Sequence, residues 1–80
     1  MTYKQVDITK FTGKTYTITK YGYETWDYLS HRLYKDSSYY KVIWQFNNII
    51  DPNDEKYKNE QIELTIPQYP SEAINFFNLQ

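Results

Sequence analysis

Apolar and polar residues alternate in two segments of the chain that are far apart in sequence. Residues 14–19 and 61–67 both have the two-residue period of a β-strand with one buried face. Pro67 ends the second segment because proline has no amide hydrogen to donate to a sheet. The apolar positions of the two segments are Tyr16, Ile18, Ile62, Leu64 and Ile66. The two predicted strands must pair with each other to close one folded unit.

Between the strands, apolar residues follow the 3.6-residue period of amphipathic helices. A first helix is predicted over residues 26–34, and Thr25 is a suitable N-cap for it. Its buried stripe is Trp26, Leu29 and Leu33. A second helix is predicted over residues 39–47, and Asn47-Asn48 is suited to a left-handed C-terminal cap. Its apolar face is Tyr39, Val42, Ile43 and Phe46.

These elements predict a small α+β fold in which a two-stranded antiparallel sheet packs under two helices in the order β-α-α-β. We assign residues 14–67 to this domain, residues 1–13 to an N-terminal arm and residues 68–80 to a C-terminal arm. One core is expected to contain Tyr16, Ile18, Trp26, Leu29, Leu33, Val42, Ile43, Phe46, Leu64 and Ile66.

The two arms carry apolar residues outside the predicted domain. In the N-terminal arm, Tyr3, Val6, Ile8 and Phe11 have a weak rhythm that allows an edge strand. The C-terminal arm carries Ala73, Ile74, Phe76, Phe77 and Leu79. We expect this arm to be mobile in the free protein and to order on a partner, because two prolines direct it away from the closing strand. The alternative is that it folds back over the helices and completes the core.

Composition excludes several classes of protein. The chain has 80 residues, a net charge of −1 and no cysteine. Without cysteine it can form neither a disulfide framework nor a thiolate metal site. Its net charge gives no indication of nucleic-acid binding. No segment has the roughly 20 apolar residues of a membrane span, and the N-terminus has no apolar signal-peptide run. We therefore expect neither a nucleic-acid nor a membrane partner.

No group of residues indicates catalysis. His31 lies on the predicted exposed face of the first helix, and spacing supplies no nucleophile or orienting group for it. The acidic turn at 51–55 lacks the central glycine and twelfth-position glutamate of a calcium loop. Gly13 and Gly22 are isolated and do not form a phosphate loop. We expect no enzyme activity, no cofactor and no metal.

Aromatic residues make up 20% of the chain, more than so small a core can bury, so several are predicted to lie at the surface. Tyr28 and Trp44 fall off the apolar stripes and are candidates for a protein interface. Further candidates are Arg32, Ile74, Phe76 and Phe77. Tyr21 and Tyr23 flank Gly22 and could stack on a sugar or on a protein partner, or merely cover the small core.

The string Glu24-Thr25-Trp26-Asp27-Tyr28-Leu29-Ser30-His31-Arg32-Leu33-Tyr34-Lys35-Asp36 resembles the D-T-W-D-x-I-A-x-R-x-Y-G-D pattern of phage tail proteins of the tail protein X type. Those proteins share the LysM fold. Residues 42–47 resemble the second-helix ending of LysM domains, residues 49–52 follow it as in that family, and residues 61–67 resemble the closing strand. Together the similar segments cover about two-thirds of the chain. Two of the departures from the pattern matter, namely Glu24 in place of aspartate and Lys35 in place of glycine.

The resemblance implies a non-enzymatic adaptor in the baseplate of a contractile phage tail or phage-like injection machine. It would bridge baseplate, hub or tail-tube subunits in multiple copies, and it would be made in the bacterial cytoplasm and located in the virion tail. The alternative is a LysM module that binds peptidoglycan or chitin. We expect little peptidoglycan binding, since no export signal is recognised and Tyr23, Ile49 and Ile50 are bulky enough to crowd the sugar groove.

The resemblance also implies where a ligand or partner would bind, because LysM domains use two loops at one end of the fold. The candidate residues are Tyr21, Gly22, Tyr23, Glu24, Asn48, Ile49, Ile50, Asp51 and Pro52.

Overall fold

A computed structural model describes residues 6–79 of the protein. Within this range the chain is a small α+β fold with one two-stranded antiparallel sheet and four helices, in keeping with the predicted β-α-α-β order. The elements are β1 (Thr15–Lys20), α1 (Trp26–Tyr34), α2 (Tyr40–Phe46), α3 (Lys56–Asn59), β2 (Ile62–Pro67) and α4 (Pro70–Phe77). Short 3-10 helices at Ile8–Lys10 and Ser37–Tyr39 precede β1 and α2.

The sheet closes the fold by pairing the two distant strands. Its register runs from Thr15 opposite Pro67 to Lys20 opposite Ile62. One further backbone bond, from Gln68 N to Lys14 O at 2.9 Å, extends the pairing past the end of β2. The two-residue alternation therefore predicted both strands and their partnership.

Helix α1 has an N-cap at Thr25 and a C-cap at Lys35. The Thr25 hydroxyl caps it by accepting a bond from Tyr28 N at 3.4 Å, as predicted. Leu29 is fully buried beneath it. The helix ends at Lys35, whose φ of 57° lies in the left-handed region that favours glycine. This is the position where the resembling tail proteins carry glycine, so the lysine is held in a conformation that costs free energy.

The end of α2 is tied to the sheet through one asparagine. The Asn47 Nδ2 donates to Thr65 O at 2.9 Å, and its Oδ1 accepts from Thr65 N at 2.9 Å. The side chain thus bonds the outer edge of β2 as a neighbouring strand would. Asn48 then adopts a φ of 52°, the left-handed conformation that its sequence position predicts.

Among residues 6–79 the core consists of two clusters, whereas one was expected. The main cluster lies between the sheet and the helices, and its buried members are Leu29, Ile43, Ile49, Leu64 and Ile66. The arm cluster lies on another side of α2, and its buried members are Val42, Phe46 and Ala73. Placing Tyr16 in the core was wrong, because its side chain is 48% exposed.

The C-terminal arm folds back onto the domain, so the expectation of a mobile arm was wrong and the alternative holds. Pro70 stands at the start of α4, where its missing N–H is not needed. Ala73 is completely buried against α2, while Ile74 and Phe77 pack around it. Asn78 ends the helix in the left-handed conformation.

The N-terminal arm forms no strand within its described part, so the interpretation as an edge strand was wrong for residues 6–13. Ile8–Lys10 form a 3-10 helix, capped by the Asp7 carboxylate. The Phe11 ring then packs edge-on against Phe46 with ring centroids 5.4 Å apart. Tyr3, also part of the predicted rhythm, lies outside the described residues.

Candidate functional site

A groove of about 560 Å³ lies at one end of the fold, between the loop that follows β1 and the segment at 52–58. Helix α2 supplies its floor through Tyr40 and Trp44. Aromatic side chains dominate the lining, and they are Tyr23, Trp26, Tyr40, Trp44 and Tyr57. Such a concave, aromatic surface is typical of a binding site.

The rings of the groove are held in defined orientations by contacts with one another. Trp26 meets Trp44 edge-on, with centroids 6.1 Å apart, and meets Tyr57 at 5.4 Å. Tyr40 packs against Trp44 at 4.9 Å. The Trp26 indole also donates to Pro52 O at 2.8 Å, which fixes the ring to the opposite wall. The groove is therefore pre-formed, and a ligand would meet ordered rings.

A buried carboxylate organises the loop that forms one wall. Glu24 Oε2 lies 2.7 Å from Arg32 Nε, and Glu24 Oε1 accepts from Arg32 Nη2 at 3.0 Å and from Tyr21 N at 2.9 Å. Burial alone would raise the pKa of Glu24, but the bonds from Arg32 and Tyr21 outweigh it, so the pKa lies below its ordinary value. Glu24 thus holds the loop in place through its bonds to Tyr21 and Arg32.

A buried lysine joins the two walls of the groove. Lys20 is 1% exposed, and its Nζ donates to Tyr57 O at 2.6 Å and to Tyr21 O at 3.2 Å. The same ammonium lies 5.0 Å from the Trp26 ring centroid, within cation–π range. Burial lowers the pKa of Lys20, and the nearby Glu24 carboxylate opposes that shift.

The first predicted loop lies at the groove. Gly22, Tyr23 and Glu24 line it, while Tyr21 stacks on Tyr23 with centroids 5.8 Å apart. The backbone of Gly22 approaches the opposite wall closely, because a Cβ at this position would lie 2.7 Å from Lys58 O. A glycine is required here by that approach, and any side chain would push the walls apart.

The second predicted loop contributes little to the groove. Pro52 alone of its five candidates lies in the lining. Ile49 is buried in the main cluster and Ile50 is 76% exposed outside the groove, so the expected crowding by these two residues is not found. Asn48 serves the end of α2, and the Asp51 carboxylate accepts from Asn53 N at 3.1 Å.

The candidates for a protein interface occupy separate places. Tyr28 is exposed on α1, and Trp44 lies in the groove. Arg32 is bonded to Glu24 and also to Thr19 O at 2.9 Å, so it belongs to the scaffold. Ile74 and Phe77 pack within the arm cluster, and Phe76 beside them is 46% exposed.

Sequence reasoning missed part of the groove. Tyr40, Asn53, Tyr57 and Lys58 line it, yet none of them is among the predicted site residues. A lone tyrosine in the run Asp54-Glu55-Lys56-Tyr57-Lys58-Asn59-Glu60 was the available signal. Its ring could be placed against Trp26 only once the chain path was known.

Over the described range 6–79, no helix is long and apolar enough to cross a membrane. The same residues bring together no group of three or more His, Asp or Glu side chains able to hold a metal ion.

Comparison of the chain with known proteins finds no matching protein family, no matching curated protein and no matching solved structure.

Proposed function

We propose that this protein is a structural component of a contractile phage tail, or of a related phage-like injection machine, and bridges neighbouring baseplate, hub or tail-tube subunits. It would be built into the virion tail in multiple copies after synthesis in the bacterial cytoplasm. The similarity to tail proteins in residues 24–36 supplies the class of assembly.

The observation that carries this proposal is the pre-formed aromatic groove. Aromatic anchors are the side chains that contribute most to protein interfaces, and rigid rings lose little entropy when a partner binds. Tyr23, at the lip of the groove, is 82% exposed and free to contact such a partner.

The proposal is tested by incorporation into particles made from the gene cluster that encodes the protein. Purified tails should contain the wild-type chain, and Tyr23→Ala should reduce its copy number without changing the thermal melt of the free protein. Tyr69→Ala is the matched control, because Tyr69 is an exposed tyrosine away from the groove. Tails that lack the wild-type chain, or that take up both variants equally, would contradict the proposal.

A second candidate function is glycan binding in the same groove. It is favoured by one observation, namely that Ile49 and Ile50 leave the groove open. Aromatic faces can stack on sugar rings, and Asp27 and Asn53 supply polar groups at the lining. Calorimetric titration with N-acetylglucosamine oligomers separates the two candidates. Under our proposal the titration gives little heat, whereas micromolar binding that Tyr23→Ala abolishes would establish the glycan function.

A further inference from the structure

The two outer edges of the sheet differ in how far they are closed. In an antiparallel pair, alternate residues point their N–H and C=O groups towards the partner strand, and the residues between them point these groups away. The bond from Gln68 N to Lys14 O continues the register, so even-numbered residues of β1 face β2. Thr15, Thr17 and Thr19 therefore direct their backbone groups outward.

The outer edge of β2 is closed by hydrogen bonds or proline at Thr65 and Pro67, and its third outward residue, Glu63, carries an exposed charged side chain that protects the edge there. Both backbone groups of Thr65 are bonded to Asn47. Pro67 has no N–H, and its carbonyl accepts from the Tyr34 hydroxyl at 2.6 Å. Proline and local capping are the usual ways in which proteins protect a strand edge from pairing.

The outer edge of β1 is closed only at its far end, where Arg32 Nη2 donates to Thr19 O at 2.9 Å. Within the described part of the chain, the outward backbone groups of Thr15 and Thr17 meet no hydrogen-bond partner. The side chains of residues 15–17 are all exposed. No proline, bulge or charged side chain within this stretch protects it.

We propose that this open edge joins a second copy of the chain in an antiparallel β1–β1 pair about a two-fold axis. In the register that places Tyr16 against its own counterpart, Thr15 of each copy lies opposite Thr17 of the other. The outward N–H and C=O groups of both threonines then pair completely. The pairing stops before Thr19, whose carbonyl stays with Arg32.

Charge supports a second copy as the occupant. Residues 15–19 are uncharged, and the two-fold register sets Lys14 against Ile18 of the other copy, so no lysine faces a lysine. The closed edge of β2 also prevents further strands from adding, which makes the assembly a closed dimer and not a fibre. This inference uses a surface separate from the groove and does not depend on the proposed function.

Sedimentation velocity of the isolated protein over a concentration series tests the pairing, and a reversible monomer–dimer equilibrium that is insensitive to salt is expected. Tyr16→Lys places two like charges on the axis and should weaken dimerisation about tenfold or more. Tyr69→Lys, at an exposed tyrosine beyond the end of β2, is the matched control and should dimerise as the wild type does. Thr17→Pro removes an outward N–H without breaking the β1–β2 ladder. It should weaken dimerisation as much as Tyr16→Lys does.

Amide hydrogen exchange of the unmodified protein tests the same edge without relying on a variant. The amides of Thr15 and Thr17 should exchange slowly in concentrated samples and rapidly in dilute ones. The proposal is overturned by a protein that stays monomeric at every concentration, by fast exchange of both amides in the concentrated sample, or by equal effects of Tyr16→Lys and Tyr69→Lys.

Discussion

The main cluster and the arm cluster lie on different sides of the same helix and are closed in different ways. The main cluster is enclosed by the sheet, α1 and α2, and pairing of the two strands locks it. The arm cluster depends on segments outside both strands, which pack on Val42 and Phe46. Helix α2 therefore has two apolar sides, and the arms cover the one that the sheet cannot reach.

The largest predicted effect is in the main cluster. Leu29→Ala should lower the free energy of unfolding by about 2–5 kcal/mol, because Leu29 is fully buried and its removal leaves a cavity. Thermal and urea unfolding measure the loss. A variant that melts like the wild type would mean that α1 does not pack as described.

A smaller effect is expected in the arm cluster. Phe77→Ala should cost about 1–3 kcal/mol, since Phe77 is only half-buried between Phe11 and Phe46. Native-state hydrogen exchange should show α4 opening before the sheet in this variant. Phe76→Ala is the matched control because Phe76 is 46% exposed, and it should cost less. Simultaneous loss of protection in α4 and the sheet would show that the two clusters unfold as one.

The ion pair between Glu24 and Arg32, in the wall of the groove, is expected to make a smaller contribution to stability. Glu24→Gln should destabilise the protein by about 1–2 kcal/mol at neutral pH, because the amide can no longer form the charged pair with Arg32. Glu63→Gln, at an exposed position on β2, serves as the control and should change little. If Glu24→Gln lowers the free energy of unfolding while amide exchange in the arm cluster stays unchanged, the effect lies on the groove side.

The same pair predicts a pH dependence. The folded pKa of Glu24 lies below its ordinary value of 4.5, so its contribution is complete above pH 4.5 and is lost as the pH falls through the folded pKa. The stability difference between the wild type and Glu24→Gln should therefore shrink on acidification below pH 4.5. Denaturant unfolding at a series of pH values measures this, and a difference that stays constant would contradict it.

The smallest predicted effect is a gain. Lys35→Gly should stabilise the protein by about 0.5–1 kcal/mol, because glycine adopts a φ of 57° without steric cost. Lys35→Ala removes the charge but keeps the steric cost, so it should melt close to the wild type. Equal stabilisation by alanine and glycine would show that charge, and not the backbone, limits this position.

The sequence determined those features that follow from local periods and caps. Both strands follow from alternation, α1 follows from its stripe and Thr25, and the end of α2 follows from Asn48. For the groove, the sequence indicated the first wall around Gly22 and Tyr23. The strands and helix ends depend on neighbours along the chain, so periodicity and capping preferences are sufficient to predict them, whereas the wall of the groove was implied by the resemblance to LysM domains.

Tertiary contacts determine which apolar sides of the strands and helices are covered and which segments cover them. A two-residue period places Tyr16 on the core side of the sheet, but no element reaches far enough to bury it. Lys20 occupies the same side and is buried, because the carbonyl oxygens of Tyr21 and of Tyr57 in α3 accept hydrogen bonds from its ammonium. Helix α4 and the second wall of the groove likewise depend on contacts between residues distant in sequence. Local patterns fix the direction in which a side chain points, whereas its burial depends on which distant segment packs there.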